Sequence, residues 1–329
     1  MKLNDIEIFE LADDLPVGLW DGKAGLCLYL AESDIDAARQ LWKKVMQDLP
    51  QLCGNIDFCH GLTGIVFAAY KLDEKGLELP ELPNLVAEVD SLVFREVGYG
   101  HCNDNISLLT LAHLVCFEAC LISEGKDNCG EERDIRTALL KNIVNLMLEK
   151  VSVSELYEPP TFSLEYVLPN VVLALALVCK CDVYKKRIEK TMTEMSCFVI
   201  GRLPLLHANR LFTLFAIEQL CSVCKLDNYW NEHKTILENN ISIETVLDEV
   251  KGSIYISNGV SGVFWLLRIM DYHKRLTMEI MDKIQNLIDS SNEQERLNAN
   301  NKYRLSHLGL FNGMAGVVLT EKIMKGYWQ

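Results

Sequence analysis

The chain has 329 residues, of which 49% are hydrophobic, and its formal net charge is −14. This acidic balance argues against a nucleic-acid partner and against anionic membrane surfaces, because both select for basic patches. The longest apolar stretch, Val167 to Cys179, contains a proline and is too short to span a bilayer, so no membrane insertion is expected.

The 12 cysteines bear on the redox environment. Disulfide-rich secreted proteins are short and rich in loops, whereas many of these cysteines lie inside long apolar runs. We therefore interpret most of them as small buried hydrophobic residues and expect a reducing, cytoplasmic location. Cys221 and Cys224 have the C-x-x-C spacing of a metal site. They follow a helical run and have no matching pair elsewhere, which favours a structural role.

The predicted elements belong largely to a repeat. Four segments, which begin at Gly18, Asp57, Tyr255 and Gly309, share a short polar residue, a Gly-x-x-Gly and then an apolar run. Such recurrence is typical of helical repeat proteins. We predict that the glycines let each helix begin tightly and lie close to a neighbour. These glycines are Gly22, Gly25, Gly61, Gly64, Gly259, Gly262, Gly313 and Gly316.

The polar residue before the first glycine is Asp21, His60, Asn258 or Asn312. Asp and Asn are favoured helix N-caps, because their short side chains accept hydrogen bonds from the N–H groups of the first turn. We therefore predict that these four residues cap the helices. The helices themselves are apolar almost all round, which predicts burial on most sides.

Three further segments, 100–115, 165–178 and 205–220, repeat the design without the glycines. With them the chain holds about seven units, spaced about 40 to 65 residues apart, which is the size of a helical hairpin with its loops.

Amphipathic segments between these units have one apolar stripe and one charged face, as outer helices do. They are 38–49, 135–150 and 278–289. Three polar segments are predicted as loops. They are 77–84, 123–134 and 290–303.

These elements predict an all-α protein, an α/α toroid of about six to seven hairpin repeats that forms a single domain over residues 1–329. All inner helices would then begin at one end, the mouth, where their positive dipole ends and free N–H groups gather. We expect the binding or active site there. The predicted lining residues are Trp20, Asp21, Tyr166, His207, Ser257, Asn258, Phe311 and Asn312.

The four glycine motifs resemble repeats of the lanthionine synthetase C (LanC) family, and the similarity in repeat number and order covers essentially the whole chain. The resemblance implies an α/α toroid that acts in peptide maturation. It also implies a zinc-dependent cyclase, in which zinc lowers the pKa of a peptide thiol that then adds to a dehydrated serine or threonine.

This chain departs from the family at the residues that would hold zinc. The family takes its ligands from a Trp-Cys-x-Gly in the fifth repeat and a Cys-His-Gly in the sixth. Leu206 stands in the place of the first cysteine, and Ser257 and Asn258 replace the Cys-His pair. The family's His-Gly in the fourth repeat, expected in acid/base chemistry, is replaced by Tyr166 and Val167.

The Cys-His-Gly of this chain lies in the second repeat instead, at Cys59 and His60. The third repeat carries His101 and Cys102, and neighbouring repeats would face the same mouth, so a relocated zinc site from these four residues is one interpretation. The other is that His60 caps its helix, as Asp21 would, and that Cys59 packs in the core.

The sequence thus predicts a LanC-like protein that binds a precursor peptide or a peptide-modifying enzyme, with no catalytic residue assigned and no cofactor expected. The alternative is an active zinc-dependent cyclase with the relocated ligands. A carbohydrate-active toroid would need a pair of carboxylates, for which Asp21 and Glu165 are the candidates. Asp21 is better interpreted as a cap.

Overall fold

The computed structural model describes residues 9, 11–98, 106–123, 130–199, 201–270, 276–299 and 301–326, which form helices and no strand. The protein is therefore all-α over this part of the chain. The helices are α1 (Lys23–Leu30), α2 (Ile35–Asp48), α3 (Leu62–Glu74), α4 (Leu82–Gly98), α5 (Leu108–Ser123), α6 (Gly130–Lys150), α7 (Val167–Lys180), α8 (Lys185–Val199), α9 (His207–Val223), α10 (Asn228–Asn239), α11 (Ile243–Val250), α12 (Val260–Ile269), α13 (Met278–Asp289), α14 (Glu293–Ala299), α15 (Asn301–Ser306) and α16 (Met314–Gly326).

The chain divides into two compact units. The first is formed by Met1–Leu92 together with Val250–Gln329, and the second by Val93–Glu249. All four glycine motifs fall in the first unit, and the three segments without glycines fall in the second.

In the first unit, the four apolar helices pack as neighbours in the order α3, α1, α16, α12. The first glycine-motif helix of the chain thus lies against the last. The amphipathic α2 packs on α1, and α13 packs on α12 and α16. The pattern of burial fits these places, because α1 buries seven of its eight residues whereas α13 buries only Ile280, Met281, Ile284 and Ile288.

In the second unit, the apolar helices α5, α7 and α9 pack as neighbours in that order. Each carries one amphipathic partner: α6 packs on α5, α8 on α7 and α10 on α9. The predicted alternation of buried and amphipathic helices is therefore present within each unit.

The three predicted loops are partly helical. Helix α4 begins at Leu82 and α6 at Gly130, inside two of them, and the segment 290–303 contains α14 and the first half of α15. The segment 290–303 is helical because contacts with the rest of the unit hold it. Leu297 is 4% exposed, and Glu293 accepts a hydrogen bond from the Tyr255 hydroxyl at 2.8 Å. Glu293 and Glu295 also stand in the first turn, where negative charge stabilises a helix.

The cysteines depart in one respect from the expected set of buried thiols. A disulfide joins Cys179, at the end of α7, to Cys224, which follows α9. The C-x-x-C is therefore not a pair of equivalent sulfurs, because only its second cysteine takes part in the bond.

Candidate functional site

The starts of the four glycine-motif helices are tied together by backbone hydrogen bonds. Trp20 N–H donates to the Cys59 carbonyl at 2.9 Å, and Phe311 N–H donates to the Trp20 carbonyl at 3.0 Å. Ser257 N–H in turn donates to the Phe311 carbonyl at 3.0 Å. These four residues occupy the same place in their motifs, two before the first glycine. We call the surface formed by them and the four residues that follow them the helix-start face.

The helix-start face repeats the same local fold at each motif. The first N–H of the helix donates to the carbonyl seven residues upstream, from Leu62 to Asn55 at 2.8 Å and from Val260 to Ser253 at 3.0 Å. In the same two motifs the hydroxyl of the next residue also donates to a carbonyl seven residues upstream. Thr63 Oγ1 donates to the Ile56 carbonyl at 2.9 Å, and Ser261 Oγ donates to the Ile254 carbonyl at 2.6 Å. The chain before each helix therefore folds back over the helix end.

This fold-back explains why the predicted N-caps are wrong. In α1, α3 and α12 the N-cap residue is the first glycine, and no side chain caps the helix. In every motif a backbone carbonyl already accepts the N–H of the first residue after the first glycine, which is one of the N–H groups that the predicted caps were expected to bind. Their side chains are consequently available for other contacts at the surface.

The glycines are required by this geometry. A Cβ on Gly61 would lie 2.5 Å from the Asn55 carbonyl oxygen, and one on Gly64 would lie 1.9 Å from the Phe58 carbonyl oxygen. Gly64 also faces Leu19 of the neighbouring motif, whose Cβ would be 3.0 Å away. The absence of a side chain at the first glycine leaves space for the chain that folds back over the helix. Its absence at the second leaves space for that chain and also for the neighbouring motif.

Asp21 lies among polar groups of the adjoining motifs. His60 Nδ1 is 3.8 Å from Asp21 Oδ2, and the His60 side chain is 52% exposed. Burial raises the pKa of the Asp21 carboxyl above its ordinary value, and His60, Asn312 and His307 offset only part of that effect. Its Oδ1 is buried and makes no hydrogen bond within the described residues. A carboxylate in this setting can accept a hydrogen bond from an N–H or ammonium group of a ligand.

An aromatic pair stands beside this carboxylate. The rings of Trp20 and Phe311 are stacked, with centroids 4.9 Å apart. Trp20 is 5% exposed and Phe311 is half-buried, so the pair belongs mainly to the core and shows only its Phe311 edge. Cys59 and Ser257, the equivalents of Trp20 in their motifs, are also buried, at 3% and 5% exposed.

Sequence reasoning missed a second polar group in the same unit. The hydroxyls of Tyr255 and Tyr303 both donate to Glu293 Oε2, at 2.8 Å and 2.5 Å, and the Tyr303 ring stacks on His307 with centroids 4.0 Å apart. Burial alone would raise the pKa of Glu293, but the two tyrosine hydrogen bonds and the nearby Arg296 lower it below its ordinary value. Glu293 is therefore a stable carboxylate held by its partners.

The comparisons with known proteins add no family to these observations. The chain matches no protein-family model and no curated protein. No helix in the described ranges is long and apolar enough to cross a membrane.

The predicted mouth residues of the second unit, Tyr166 and His207, lie at the starts of two helices. Tyr166 is 4% exposed and directly precedes α7. His207 begins α9, and its Nδ1 accepts the Ser242 N–H at 3.0 Å. Glu249 accepts the N–H groups of His207 and Ala208, and Glu158 accepts those of the two preceding residues. Two carboxylates thus bind four consecutive N–H groups at the α9 terminus and place negative charge where an anion would otherwise bind.

The residues at the family's zinc positions do not fit a zinc ion. Leu206 offers no donor atom, and Asn258 Oδ1 already accepts the Ser253 hydroxyl at 2.7 Å. Ser257 is a neutral alcohol and a poor zinc ligand. Over the described ranges, no three His, Cys, Asp or Glu side chains are grouped as a metal would require.

The relocated zinc site is described only in part. Cys59 and His60 lie on the helix-start face, the first buried and the second exposed. His101 and Cys102, their predicted partners, lie outside the described residues.

Asp21→Asn is expected to raise the free energy of unfolding at neutral pH. Because the pKa of this carboxyl is raised in the folded protein, its ionised form is less stable there than in the unfolded chain. That penalty is absent below the unfolded-state pKa, grows as the pH rises towards the folded-state pKa and is complete above it. Chemical denaturation should therefore show a gain at about pH 7 that disappears at about pH 3.

Asp73→Asn is the matched control for this variant, because Asp73 is exposed near the far end of α3 and loses the same charge. Its stability should follow the wild type at both pH values. If Asp21→Asn is less stable than wild type at neutral pH, the carboxylate stabilises the fold and the argument from burial is wrong.

Proposed function

We propose that this protein is a LanC-like α/α toroid that binds a peptide, either a precursor peptide or a segment of a peptide-modifying enzyme, at the helix-start face. In this proposal it performs no zinc-dependent thioether cyclisation. The observation that carries the proposal is the chain of hydrogen bonds through Cys59, Trp20, Phe311 and Ser257, which brings polar side chains from four motifs to one surface.

The order of the motifs in the first unit supports a closed ring of repeats. The helices α1 and α16 begin with the first and last glycine motifs of the chain, yet they are neighbours. An open solenoid keeps its first and last repeats apart, whereas a ring joins them. The same packing recurs at α16 and α12, which come from consecutive glycine motifs.

The state of Asp21 supports a binding role for the helix-start face. A partly buried carboxyl with a raised pKa and an oxygen without a hydrogen bond lowers stability, and such groups concentrate at functional sites. The Asp21 side chain is 25% exposed, so a peptide can approach its carboxylate there with a backbone N–H, a lysine ammonium or an arginine guanidinium. The net charge of −14 also favours a basic partner over an acidic one.

A selection from a random linear peptide library tests this proposal. Peptides enriched on the wild-type protein should bind Asp21→Asn at least tenfold more weakly, whereas Asp73→Asn should bind them as the wild type does. Since Asp21→Asn is expected to be more stable at neutral pH, loss of binding could not be attributed to unfolding. Failure to enrich any peptide, or equal binding by Asp21→Asn, would overturn the proposal.

Metal content separates the proposal from the cyclase alternative. We expect the purified protein to carry far less than one zinc per chain, and Cys59→Ala and His60→Asn to leave that content unchanged, because Cys59 is 3% exposed and takes the buried place that Trp20 takes in its motif. Elemental analysis of the three proteins gives the answer. One zinc per chain that is lost in Cys59→Ala would restore the cyclase with relocated ligands.

A further inference from the structure

The cysteine pair that links α7 and α9 has a third cysteine three residues away from it in sequence. Cys224 is bonded to Cys179, 45 residues away in sequence, although Cys221 lies only three residues before it. Cys221 is a half-buried free thiol in the last turn of α9. Residues three apart on a helix face the same side, about 5 to 6 Å apart between Cβ atoms.

The backbone at Cys224 is helical on one side and extended on the other. Its N–H donates to the Leu220 carbonyl at 3.0 Å, which keeps it near its helical position relative to Cys221, whereas its own angles, φ −115° and ψ 144°, are extended. Disulfide-bonded Cβ atoms lie about 3.5 to 4.5 Å apart, which is a small movement from helical spacing. Cys224 can therefore reach either Cys179 or Cys221 by a local change at the end of α9.

We propose that Cys221 is an exchange thiol for the Cys179–Cys224 disulfide. The Cys221 thiolate attacks Cys224 Sγ, a Cys221–Cys224 bond forms, and Cys179 leaves as a thiolate that takes up the proton lost by Cys221. The number of disulfides and of protons is unchanged, so the step needs neither an oxidant nor a reductant. Its result is that a covalent link between two neighbouring helices becomes a link within one.

The surroundings of Cys221 make this exchange slow at neutral pH. Burial raises the pKa of the Cys221 thiol, Lys234 of α10 opposes that shift, and Glu218 of α9 adds to it. Lys234 Nζ is itself 3.7 Å from Glu218 Oε1, and this pairing reduces the effect of Lys234 on the pKa of the Cys221 thiol. The thiol also sits at the negative end of a helix, whereas reactive C-x-x-C thiols sit at the positive end. The linkage between α7 and α9 is consequently persistent, and exchange quickens as the pH rises.

Peptide mapping by mass spectrometry tests the exchange on the full chain after acid quenching and alkylation of free thiols. Wild-type protein should give both the Cys179–Cys224 and the Cys221–Cys224 linkage, and the second should form faster at higher pH, by about tenfold per pH unit while the thiol is mostly protonated. Cys221→Ser should give the first linkage alone. Cys53→Ser, which removes an exposed thiol of the other unit, should behave as the wild type.

Glutathione provides a second measurement that does not depend on detecting the rearranged bond. When reduced glutathione attacks the disulfide, a mixed disulfide on Cys224 should be resolved by Cys221 in the wild type and should accumulate in Cys221→Ser. Cys221→Ala serves as the replacement if the serine variant fails to fold. Equal glutathione attachment at Cys224 with and without Cys221, or a Cys179–Cys224 bond that never rearranges at any pH, would overturn the inference.

This inference concerns the second unit and does not rest on the proposed peptide binding. A protein that binds no peptide could still exchange this disulfide, and the reverse is also true.

Discussion

Gly64→Ala is expected to lower the free energy of unfolding by about 3 kcal/mol, the upper part of the usual range for overpacking. The added methyl group would lie 1.9 Å from the Phe58 carbonyl oxygen. That carbonyl cannot simply move away, because its loop is fixed on both sides. On one side Leu62 N–H binds the Asn55 carbonyl, and on the other the Cys59 carbonyl accepts the Trp20 N–H. Relief of the clash would break the start of α3 or its contact with α1.

Gly316→Ala should have a similar effect for the same reason, because its Cβ would lie 1.9 Å from the Leu310 carbonyl oxygen. Gly252→Ala is the matched control, since nothing lies within 4 Å of its Cβ position and its φ is not in the left-handed region. Chemical denaturation followed by circular dichroism compares the three variants. If Gly64→Ala and Gly316→Ala are as stable as Gly252→Ala, the helix starts are looser than the structure indicates.

The buried helices could be predicted from the sequence because their signals are local. The Gly-x-x-Gly followed by an apolar run marks the beginnings of α1, α3, α12 and α16, and α13 has the predicted bounds. The apolar runs of α5, α7 and α9 were long enough to be recognised without glycines. Periodicity reports burial directly, since a helix that is apolar all round must be covered on all sides.

The contacts at the helix starts could not be predicted in this way, because their partners are distant in sequence or lie on the backbone. Glu158 binds the N–H of Leu206, 48 residues away, and no local pattern announces that contact. Asp21 has the residue type of an N-cap, but carbonyls seven residues upstream take the N–H groups. The sequence identifies a side chain that is able to cap a helix, but it does not show that backbone carbonyls already accept the N–H groups at that helix start.

The polar network of the first unit was missed for a related reason. Tyr303 and Glu293 lie in a segment of low hydrophobicity that predicts a loop, and only the folded chain brings Tyr255 to them. The signal that could have found it is the spacing of Glu293, Arg296 and Leu297, which places charge and a single apolar residue on successive turns of a short helix.

Arg136→Met is expected to lower the free energy of unfolding by about 3 to 5 kcal/mol, the usual effect of removing one partner from a buried ion pair. Arg136 Nη1 donates to Glu118 Oε2 at 2.7 Å, and the two side chains are 8% and 0% exposed. The variant keeps most of the apolar volume of the arginine stem but leaves the carboxylate of α5 buried without this cation. The loss should appear in chemical denaturation at neutral pH.

The double variant Glu118→Gln with Arg136→Met distinguishes charge from packing. It removes both charges at nearly constant volume, so it should recover much of the stability lost in Arg136→Met alone. A single variant within about 1 kcal/mol of wild type would mean that water or other groups compensate the carboxylate fully. If instead the double variant is as unstable as the single one, the arginine stabilises the contact of α6 with α5 through packing. The buried charge of Glu118 would then not be the reason for the loss.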